Sequence, residues 1–282
     1  MEICAHAKLN LTLDVLGKRP DGYHDLRMVM QSVALCDRLT LEQGADDVLA
    51  VSTNLSFLPN DDRNLAAKAA RAFFEYTERG RGLKIRIRKK IPVCAGMAGG
   101  STDAAAVLRG LNELTGVNMT VEELAKLGER VGSDVPYCVL GGTALAEGRG
   151  EILTPLPALP ACHVVLCKPT FSISTPELFN RIDGCKIVCR PDTEGLIDAL
   201  KRGNLGDVAR RMYNVFEDVL PPRQSKTVAE IKSVLIAEGA LGACMTGTGP
   251  TVFGLFDRAD LAETAYRRLK ENYRDTFLTQ SV

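Results

Sequence analysis

The first residues of the chain alternate between apolar and polar side chains. Every odd-numbered residue from position 3 to position 15 is apolar, and most even-numbered residues are polar. A period of two is typical of a half-buried β-strand, so we predict a strand over residues 3–15. Because side chains two residues apart lie on one face of a strand, His6, Lys8 and Asn10 should project together.

Strand and helix patterns are mixed along the rest of the chain. Short alternating or β-branched runs predict strands at residues 27–35, 38–42, 48–52, 83–88, 163–167, 243–246 and 251–256. Longer runs with helical spacing predict helices at residues 63–79, which Gly80 should end, and at residues 101–114, 121–131, 175–181, 193–201, 205–213, 222–238 and 259–273. Strands grouped with helices, without regular β-α alternation, indicate an α+β fold.

A proline-rich segment divides the chain. Residues 154–160 contain Pro155, Pro157 and Pro160, and such a segment is typical of a linker. We therefore predict one domain over residues 1–156 and a second over residues 157–282.

Composition argues against several classes of protein. The chain carries 35 Lys and Arg against 35 Asp and Glu, and a neutral chain argues against nucleic acid or an anionic membrane as the main partner. The nine cysteines are scattered and never spaced C-x-x-C, which favours free thiols in a reducing compartment over disulfides or a zinc site. Neither a membrane-spanning run nor a signal-peptide pattern is visible, so we expect a cytoplasmic protein.

A glycine-rich stretch between a predicted strand and a predicted helix is the strongest indication of chemistry. It runs from Pro92 to Thr102, and Ser101 or Thr102 should cap the following helix. Glycines let backbone N–H groups approach a phosphate, and a helix N-terminus adds unpaired donors. The stretch has neither Walker A nor G-x-G-x-x-G spacing. From spacing alone it is either an anion-binding loop or an ordinary turn.

The other candidate residues also have two interpretations each. Asp134 follows a predicted helix end and is either a capping or turn carboxylate or a catalytic one. Lys8 is either a solvated lysine or part of a polar site with His6 and Asn10. Residues 247–250 are by default a hairpin turn. Three ring side chains are either core and rim residues or a ligand platform: Tyr23, His24 and Phe179.

Three segments together make the chain similar to the GHMP kinase superfamily. They are A-K-L-N-L followed by G-K-R-P-D-G-Y-H-D-L at residues 7–26, the glycine-rich stretch at residues 91–105, and M-T-G-T-G-P-T-V-F at residues 245–253. The glycine-rich stretch is common to the superfamily. The first segment resembles one kinase within it, whose acceptor is a cytidine diphosphate ester of a branched sugar alcohol. Met97 and Pro250 depart from that kinase's usual residues, a leucine and a small residue.

The resemblance implies a GHMP kinase fold: an N-terminal ATP-binding domain like the second domain of ribosomal protein S5, and a C-terminal ferredoxin-like domain. It implies ATP and Mg²⁺ as cofactors and direct in-line transfer to a hydroxyl of the small-molecule acceptor, in the non-mevalonate isoprenoid pathway. We expect no nucleic-acid or membrane partner, and either a monomer or a homodimer.

The resemblance also implies roles for particular residues. Asp134 would be the general base and Lys8 its neighbour, while no Mg²⁺ ligand is assigned. The nucleotide would be held by Asn64, Pro92, Val93, Cys94, Ala95, Gly96, Met97, Ala98, Gly99, Gly100, Ser101 and Thr102. The acceptor pocket, with aromatic rings against the cytosine and the histidine hydrogen-bonded to its edge, would comprise Asn10, Tyr23, His24, Thr175 and Phe179.

Three alternatives remain at this stage. A homoserine or mevalonate kinase of the same superfamily would share the glycine-rich stretch but needs no platform for a base. A sensor that binds nucleotide without turnover would not need both Lys8 and Asp134. A non-catalytic RNA-binding module would use the cluster of basic residues Lys84, Arg86, Arg88, Lys89 and Lys90.

Overall fold

Two long strands form the N-terminal part of the chain. In the computed structural model, which describes residues 1–44, 48–79 and 82–282, β1 spans Glu2–Lys18 and β2 spans His24–Gln43. The turn between them contains Gly22 with φ +85°, a left-handed conformation that glycine adopts without a Cβ penalty. The predicted N-terminal strand is confirmed, but the expectation that it is half-buried is wrong, because polar residues such as Lys8 and Asn10 are buried as well as the apolar ones.

The second strand is longer than predicted. Separate strands at residues 27–35 and 38–42 are wrong, because β2 runs continuously through Asp37. This buried carboxylate does not interrupt the strand because Lys89 and two backbone N–H groups hydrogen-bond to it.

The remaining elements follow in chain order. Up to residue 155 they are β3 (Leu49–Thr53), α1 (Leu65–Thr77), β4 (Leu83–Arg88), α2 (Gly99–Thr115), α3 (Val121–Glu129), α4 (Val135–Leu140), β5 (Thr143–Gly148) and β6 (Ile152–Pro155). Beyond it they are β7 (His163–Lys168), α5 (Thr175–Asp183), α6 (Thr193–Lys201), α7 (Leu205–Arg210), β8 (Tyr213–Asn214), a 3-10 helix (Val215–Val219), α8 (Pro222–Ala237), β9 (Gly242–Met245), β10 (Val252–Phe256), α9 (Ala259–Lys270) and β11 (Asp275–Gln280).

Most predicted elements are confirmed, and the differences occur where patterns are short. The sequence patterns did not indicate α4, β5, β6, β8 or β11, and α7 ends at Arg210 rather than at residue 213 because Tyr213 pairs with Thr12 of β1. Helix α1 ends at Thr77 with Glu78 in a left-handed conformation. Gly80, the predicted end of that helix, lies outside the described residues.

One compact unit contains Met1–Ala7, Leu35–Ile91 and Ala98–Gly141. Within this first unit, β4 pairs antiparallel with the end of β2 and parallel with β3. Alternate residues of β4 are buried while the basic residues between them are exposed. Helices α1 and α2 pack against each other, and each buries alanines, whose small side chains let two helices approach closely.

The second compact unit contains Lys8–Ala34, Pro92–Met97 and Gly142–Val282. Its antiparallel sheet has the strand order β11-β7-β10-β9, with α8 and α9 packed against it. In chain order these elements give the β-α-β-β-α-β arrangement of a ferredoxin-like domain, so the α+β class is confirmed. In the same unit, β5 pairs with β2 and with β6.

Each unit is assembled from separate stretches of chain, and neither corresponds to a continuous range ending or starting at residue 156. The domain boundary at that position stays a prediction. Among the helices formed by the described residues, none combines the length and the apolar character needed to cross a bilayer.

Candidate active site

The glycine-rich stretch has an unusual backbone. Cys94, Gly96 and Ala98 have φ values of +52°, +73° and +56°. A left-handed conformation is uncommon for residues other than glycine, and such strain persists only where the surrounding structure holds it, often at functional sites. The stretch begins in the second unit with Pro92–Met97 and enters the first unit at Ala98.

Helix α2 begins earlier than predicted and has no side-chain cap. Its N-cap residue is Ala98, so the predicted cap at Ser101 or Thr102 is wrong. The Thr102 hydroxyl instead donates to the Gly99 carbonyl within the first turn, at 3.0 Å. The first backbone N–H groups of a helix have no partner inside the helix. With no capping side chain, those of α2 are available to an anion.

A second loop supports the glycine-rich stretch within the second unit. A Cβ atom on Gly96 would collide with the carbonyl oxygen of Thr246, and one on Gly247 would come within 2.8 Å of the Gly96 oxygen. The Thr246 hydroxyl donates to that same oxygen at 3.3 Å. The turn predicted at residues 247–250 lies between β9 and β10, and Thr246 and Gly247 also hold the glycine-rich stretch by direct backbone contact.

The polar face of β1 joins this arrangement. Lys8 is 5% exposed and Asn10 is fully buried. The Lys8 Nζ donates to Asn10 Oδ1 at 2.7 Å, its backbone N–H donates to the Met97 carbonyl at 3.3 Å, and the Asn10 N–H donates to Thr246 Oγ1 at 3.0 Å. The structure thus brings all three motif segments together in the second unit.

A lysine side chain is ordinarily a cation. Within the second unit, the described hydrogen bond of the Lys8 side chain goes to the neutral amide of Asn10. Burying a cation is costly unless a counter-charge is supplied. The site can therefore accept negative charge from a bound molecule.

A group of aromatic side chains lies at the start of β2 and on α5, also in the second unit. The His24 ring stacks on Phe179, with centroids 4.5 Å apart and an interplanar angle of 26°, and Phe216 meets Phe179 edge-on at 5.0 Å. Tyr23 is 58% exposed, and Arg149 lies 5.2 Å from the centre of its ring. His24 and Phe179 are therefore in contact, while the ring of Tyr23 is exposed to solvent.

The edge of the His24 ring has a charged partner that the sequence did not indicate. His24 Nε2 lies 2.6 Å from Asp183 Oδ1, and Lys18 Nζ donates to Asp183 Oδ2 at 2.9 Å. The hydrogen bond from Lys18 is the main cause that lowers the pKa of Asp183, and the hydrogen bond from His24 is the second. At the other end of α5, the Thr175 and Thr248 hydroxyls lie 2.9 Å apart, which places the predicted Thr175 beside the supporting loop.

Asp134 and Asn64 belong to the first unit. Asp134 is the half-buried N-cap residue of α4, yet its carboxylate makes no capping bond, and no described residue of that unit donates a hydrogen bond to it. The capping interpretation of Asp134 is thus wrong for its side chain. That Lys8 is its neighbour stays a prediction.

Asn64 has a visible structural role. Its Oδ1 caps α1 by accepting from the Ala66 N–H at 3.0 Å, and its Nδ2 donates to the Pro59 carbonyl at 2.9 Å. A Cβ atom on Gly100 would lie 3.3 Å from the side chain of Leu65, the residue after Asn64. The start of α1 therefore packs beside the start of α2, while nucleotide contact by Asn64 stays a prediction.

A buried ionic cluster supports α2 in the first unit. Lys89 Nζ lies 2.5 Å from Asp37 Oδ2 and 2.6 Å from Asp103 Oδ2, and donates to the Gly99 carbonyl at 3.2 Å. Burial raises the pKa of Asp103 to about 7, against the opposing effect of Lys89. Asp103 Oδ1 is buried and has no hydrogen-bond partner among the described residues.

The same ionic cluster bears on the five basic residues, at positions 84–90, that an RNA-binding module would use. The side chain of Lys89 is 5% exposed and committed to two carboxylates. Lys84, Arg86 and Arg88 alternate on the exposed face of β4. The five basic residues therefore do not form one surface. Within the described ranges, no three His, Cys, Asp or Glu side chains are grouped closely enough to hold a metal ion.

Comparisons with known proteins agree with this arrangement. The family model "GHMP kinases N terminal domain" matches residues 64–142, and "GHMP kinases C terminal" matches residues 196–275. The chain is 43% identical to 4-diphosphocytidyl-2-C-methyl-D-erythritol kinase of Alkaliphilus metalliredigens over 281 residues, which cover 100% of this chain and 96% of that protein.

Solved structures are also similar over the whole chain. A crystal structure of 4-(cytidine 5'-diphospho)-2C-methyl-D-erythritol kinase matches with a TM-score of 0.84 and 32% identity, covering 100% of this chain and 99% of the other. A homoserine kinase from Cytophaga hutchinsonii matches with a TM-score of 0.77 and 19% identity, covering 100% and 94%. The second likeness establishes a common fold and nothing finer.

Proposed function

This chain belongs to the GHMP kinase family, among the 4-diphosphocytidyl-2-C-methyl-D-erythritol kinases, and on that premise we propose that it phosphorylates that compound with ATP. The phosphoryl group would pass directly to the 2-hydroxyl, a step of the non-mevalonate isoprenoid pathway. The observation that carries the proposal is the meeting of Lys8, Asn10, the glycine-rich stretch and Thr246 in one hydrogen-bonded group.

The glycine-rich stretch and the start of α2 would bind the ATP phosphates. Left-handed residues direct successive backbone N–H groups toward an anion. The uncapped N-terminus of α2 adds further donors and a positive dipole end. Mg²⁺ would be held mainly by phosphate oxygens and would neutralise charge that develops during transfer.

Asp134 and Lys8 would supply the acid–base and charge requirements of transfer. A carboxylate without a hydrogen-bond donor in its own unit is available to accept the proton of the acceptor hydroxyl. The ammonium group of Lys8 would stabilise negative charge on the attacking oxygen. Phosphoryl transfer needs positioning and charge stabilisation more than covalent chemistry, so these groups are sufficient.

The aromatic group at His24 supports a cytidine-bearing acceptor rather than a small alcohol. Tyr23 offers an exposed ring on which a base can stack. The ring of His24, the next residue in sequence, is held in place by stacking on Phe179. A base stacked on an aromatic ring gains about 1–3 kcal/mol in single-stranded nucleic-acid complexes. Homoserine and mevalonate have no base to use such a platform.

A phosphotransfer assay tests the proposal. Purified protein is incubated with ATP and one acceptor at a time: 4-diphosphocytidyl-2-C-methyl-D-erythritol, mevalonate or homoserine. We expect phosphorylation of the cytidine compound with a kcat/KM at least 10²-fold above the other two, since polar groups built to pair with a base reject acceptors that lack one. Equal turnover of all three would contradict the assigned acceptor, and no turnover of any would contradict the kinase activity.

A further inference from the structure

Helix α5 holds the His24 ring by its face and by its edge. Phe179 and Asp183 are four residues apart on α5, so they lie on one side of the helix. Phe179 stacks on the ring, and Asp183 meets Nε2 at 2.6 Å. His24 itself is 8% exposed. One helix face thereby restricts both the tilt and the rotation of this ring.

The contact with Asp183 also determines which ring nitrogen carries the proton. An ionised carboxylate can only accept hydrogen bonds, so Nε2 must donate to it. Lys18 holds the other carboxylate oxygen at 2.9 Å and favours the ionised form. In a neutral imidazole, a proton on Nε2 leaves Nδ1 as an acceptor. No described residue of the second unit forms a hydrogen bond with Nδ1.

An acceptor at Nδ1 distinguishes the two common pyrimidines. Cytosine presents an amino group at C4, which donates, whereas uracil has a carbonyl oxygen at the same position, which accepts. The cytosine amino group can pair with Nδ1, while a uracil oxygen would face a lone pair. A polar group left unpaired in a binding site costs more than the pair itself contributes.

We propose that Asp183 is a positioning residue that sets base specificity, because its contact with Nε2 fixes His24 in the tautomer whose Nδ1 accepts a hydrogen bond from the cytosine amino group. This inference rests on the proposed function, and it adds to it a residue that does not touch the acceptor. Lys18 contributes indirectly by keeping Asp183 ionised and in place.

The first test measures the tautomer itself, without substrate. The chain has three histidines, so imidazole ¹⁵N signals can be assigned with a His24→Gln variant. We expect His24 to carry its proton on Nε2 in the unmodified protein and to shift toward a mixture of tautomers in Asp183→Ala. Asp198→Ala is the matched control, since Asp198 also pairs with a lysine, Lys201 at 3.0 Å, on the same unit. An unchanged His24 signal in Asp183→Ala would overturn the proposal.

The second test measures specificity. The kcat/KM ratio for 4-diphosphocytidyl-2-C-methyl-D-erythritol over its uridine counterpart should fall at least tenfold in Asp183→Ala, mainly through a higher KM for the cytidine compound. The KM for ATP should not change. Asp183→Asn, whose amide oxygen can still accept from Nε2, should recover part of the ratio, and Asp198→Ala should keep all of it.

The outcomes separate this inference from the proposed function. A shifted tautomer with an unchanged cytidine preference would overturn the specificity role of Asp183 while leaving the kinase activity intact. A protein that phosphorylates neither compound would contradict the proposed function and, with it, the specificity role. The ¹⁵N signals would still decide whether Asp183 sets the tautomer. Loss of ATP turnover on both compounds in Asp183→Ala alone would indicate a general structural role and would also overturn the proposal.

Discussion

Two buried lysines in this protein are used in different ways. Lys8 and the side chain of Lys89 are each 5% exposed. Lys89, in the first unit, meets two carboxylates and a carbonyl, whereas Lys8, in the second unit, donates to a neutral amide. Burial of a charge does not by itself indicate function. A cation that meets carboxylates holds structure, whereas a cation whose described partner in its own unit is a neutral amide can serve a substrate.

The comparison extends to two carboxylates and gives the largest expected effect. Asp103 is committed to Lys89, while the carboxylate of Asp134 accepts no described hydrogen bond within its unit. Asp134→Asn should lower kcat by about 10²–10⁴-fold, the usual contribution of a positioned general base. ATP affinity by calorimetry and the unfolding temperature should stay near their unmodified values. A kcat close to that of the unmodified protein would leave Asp134 without a catalytic role.

Replacement of Lys89, the lysine that meets two carboxylates, should lower the stability of the fold. Lys89→Met leaves Asp37 and Asp103 buried without their cation and should reduce the free energy of unfolding by about 3–5 kcal/mol, as measured for broken buried ion pairs. Lys90→Met is the matched control, because Lys90 is exposed and contributes only its backbone N–H to Asp37. Urea denaturation compares the two. Equal stability of both variants would break the distinction between the lysines.

Replacement of Lys8 should lower activity more than it lowers stability. Lys8→Met should lower kcat by about 10²–10³-fold, as for loss of one group that stabilises transition-state charge, with a smaller change in KM. Its loss of unfolding free energy should be less than that of Lys89→Met, since no buried carboxylate of its unit loses a partner. Steady-state kinetics with urea denaturation measures both quantities. A raised KM with kcat intact would make Lys8 a binding group only.

The smallest effect concerns the proton at Asp103. Its pKa is raised to about 7 in the folded protein, against about 3.9 for an unfolded Asp. Between about pH 4 and pH 7 the folded state therefore binds more protons, and the free energy of unfolding falls as pH rises. Asp103→Asn should remove this part of the pH dependence, measured by urea denaturation at a series of pH values. Parallel pH profiles of the two proteins would contradict a proton held at Asp103.

Patterns of neighbouring residues were sufficient to predict several strands and turns. The alternation in β1 and in β4 is visible without knowledge of the fold. In β4 it reflects one buried and one exposed face, whereas the central part of β1 is buried on both faces. The glycine-rich stretch and the turn at residues 247–250 are also recognisable from composition alone. The fold class and the three motif segments follow from such features.

Long-range contacts explain what the sequence could not predict. The sequence predicted two strands where β2 is continuous, because the lysine that compensates the buried Asp37 is 52 positions away. Asp183 had no visible signal beyond its spacing from Phe179, since its partner His24 is 159 positions away. Helix α2 begins before its hydroxyl residues, with Ala98 as its N-cap residue, whose left-handed backbone and lack of a capping side chain no local pattern indicated.

The bond between Asn10 and Thr246 also has a consequence for synthesis of the chain. The two residues are 236 positions apart, so Asn10 waits roughly 10–50 s for its partner at translation rates of 5–20 residues per second. During that interval the central part of β1 has been made, but the turn that covers its buried polar groups has not. A later part of the nascent protein thus completes an earlier one, and this hydrogen-bonded group cannot form before Thr246 has been synthesised.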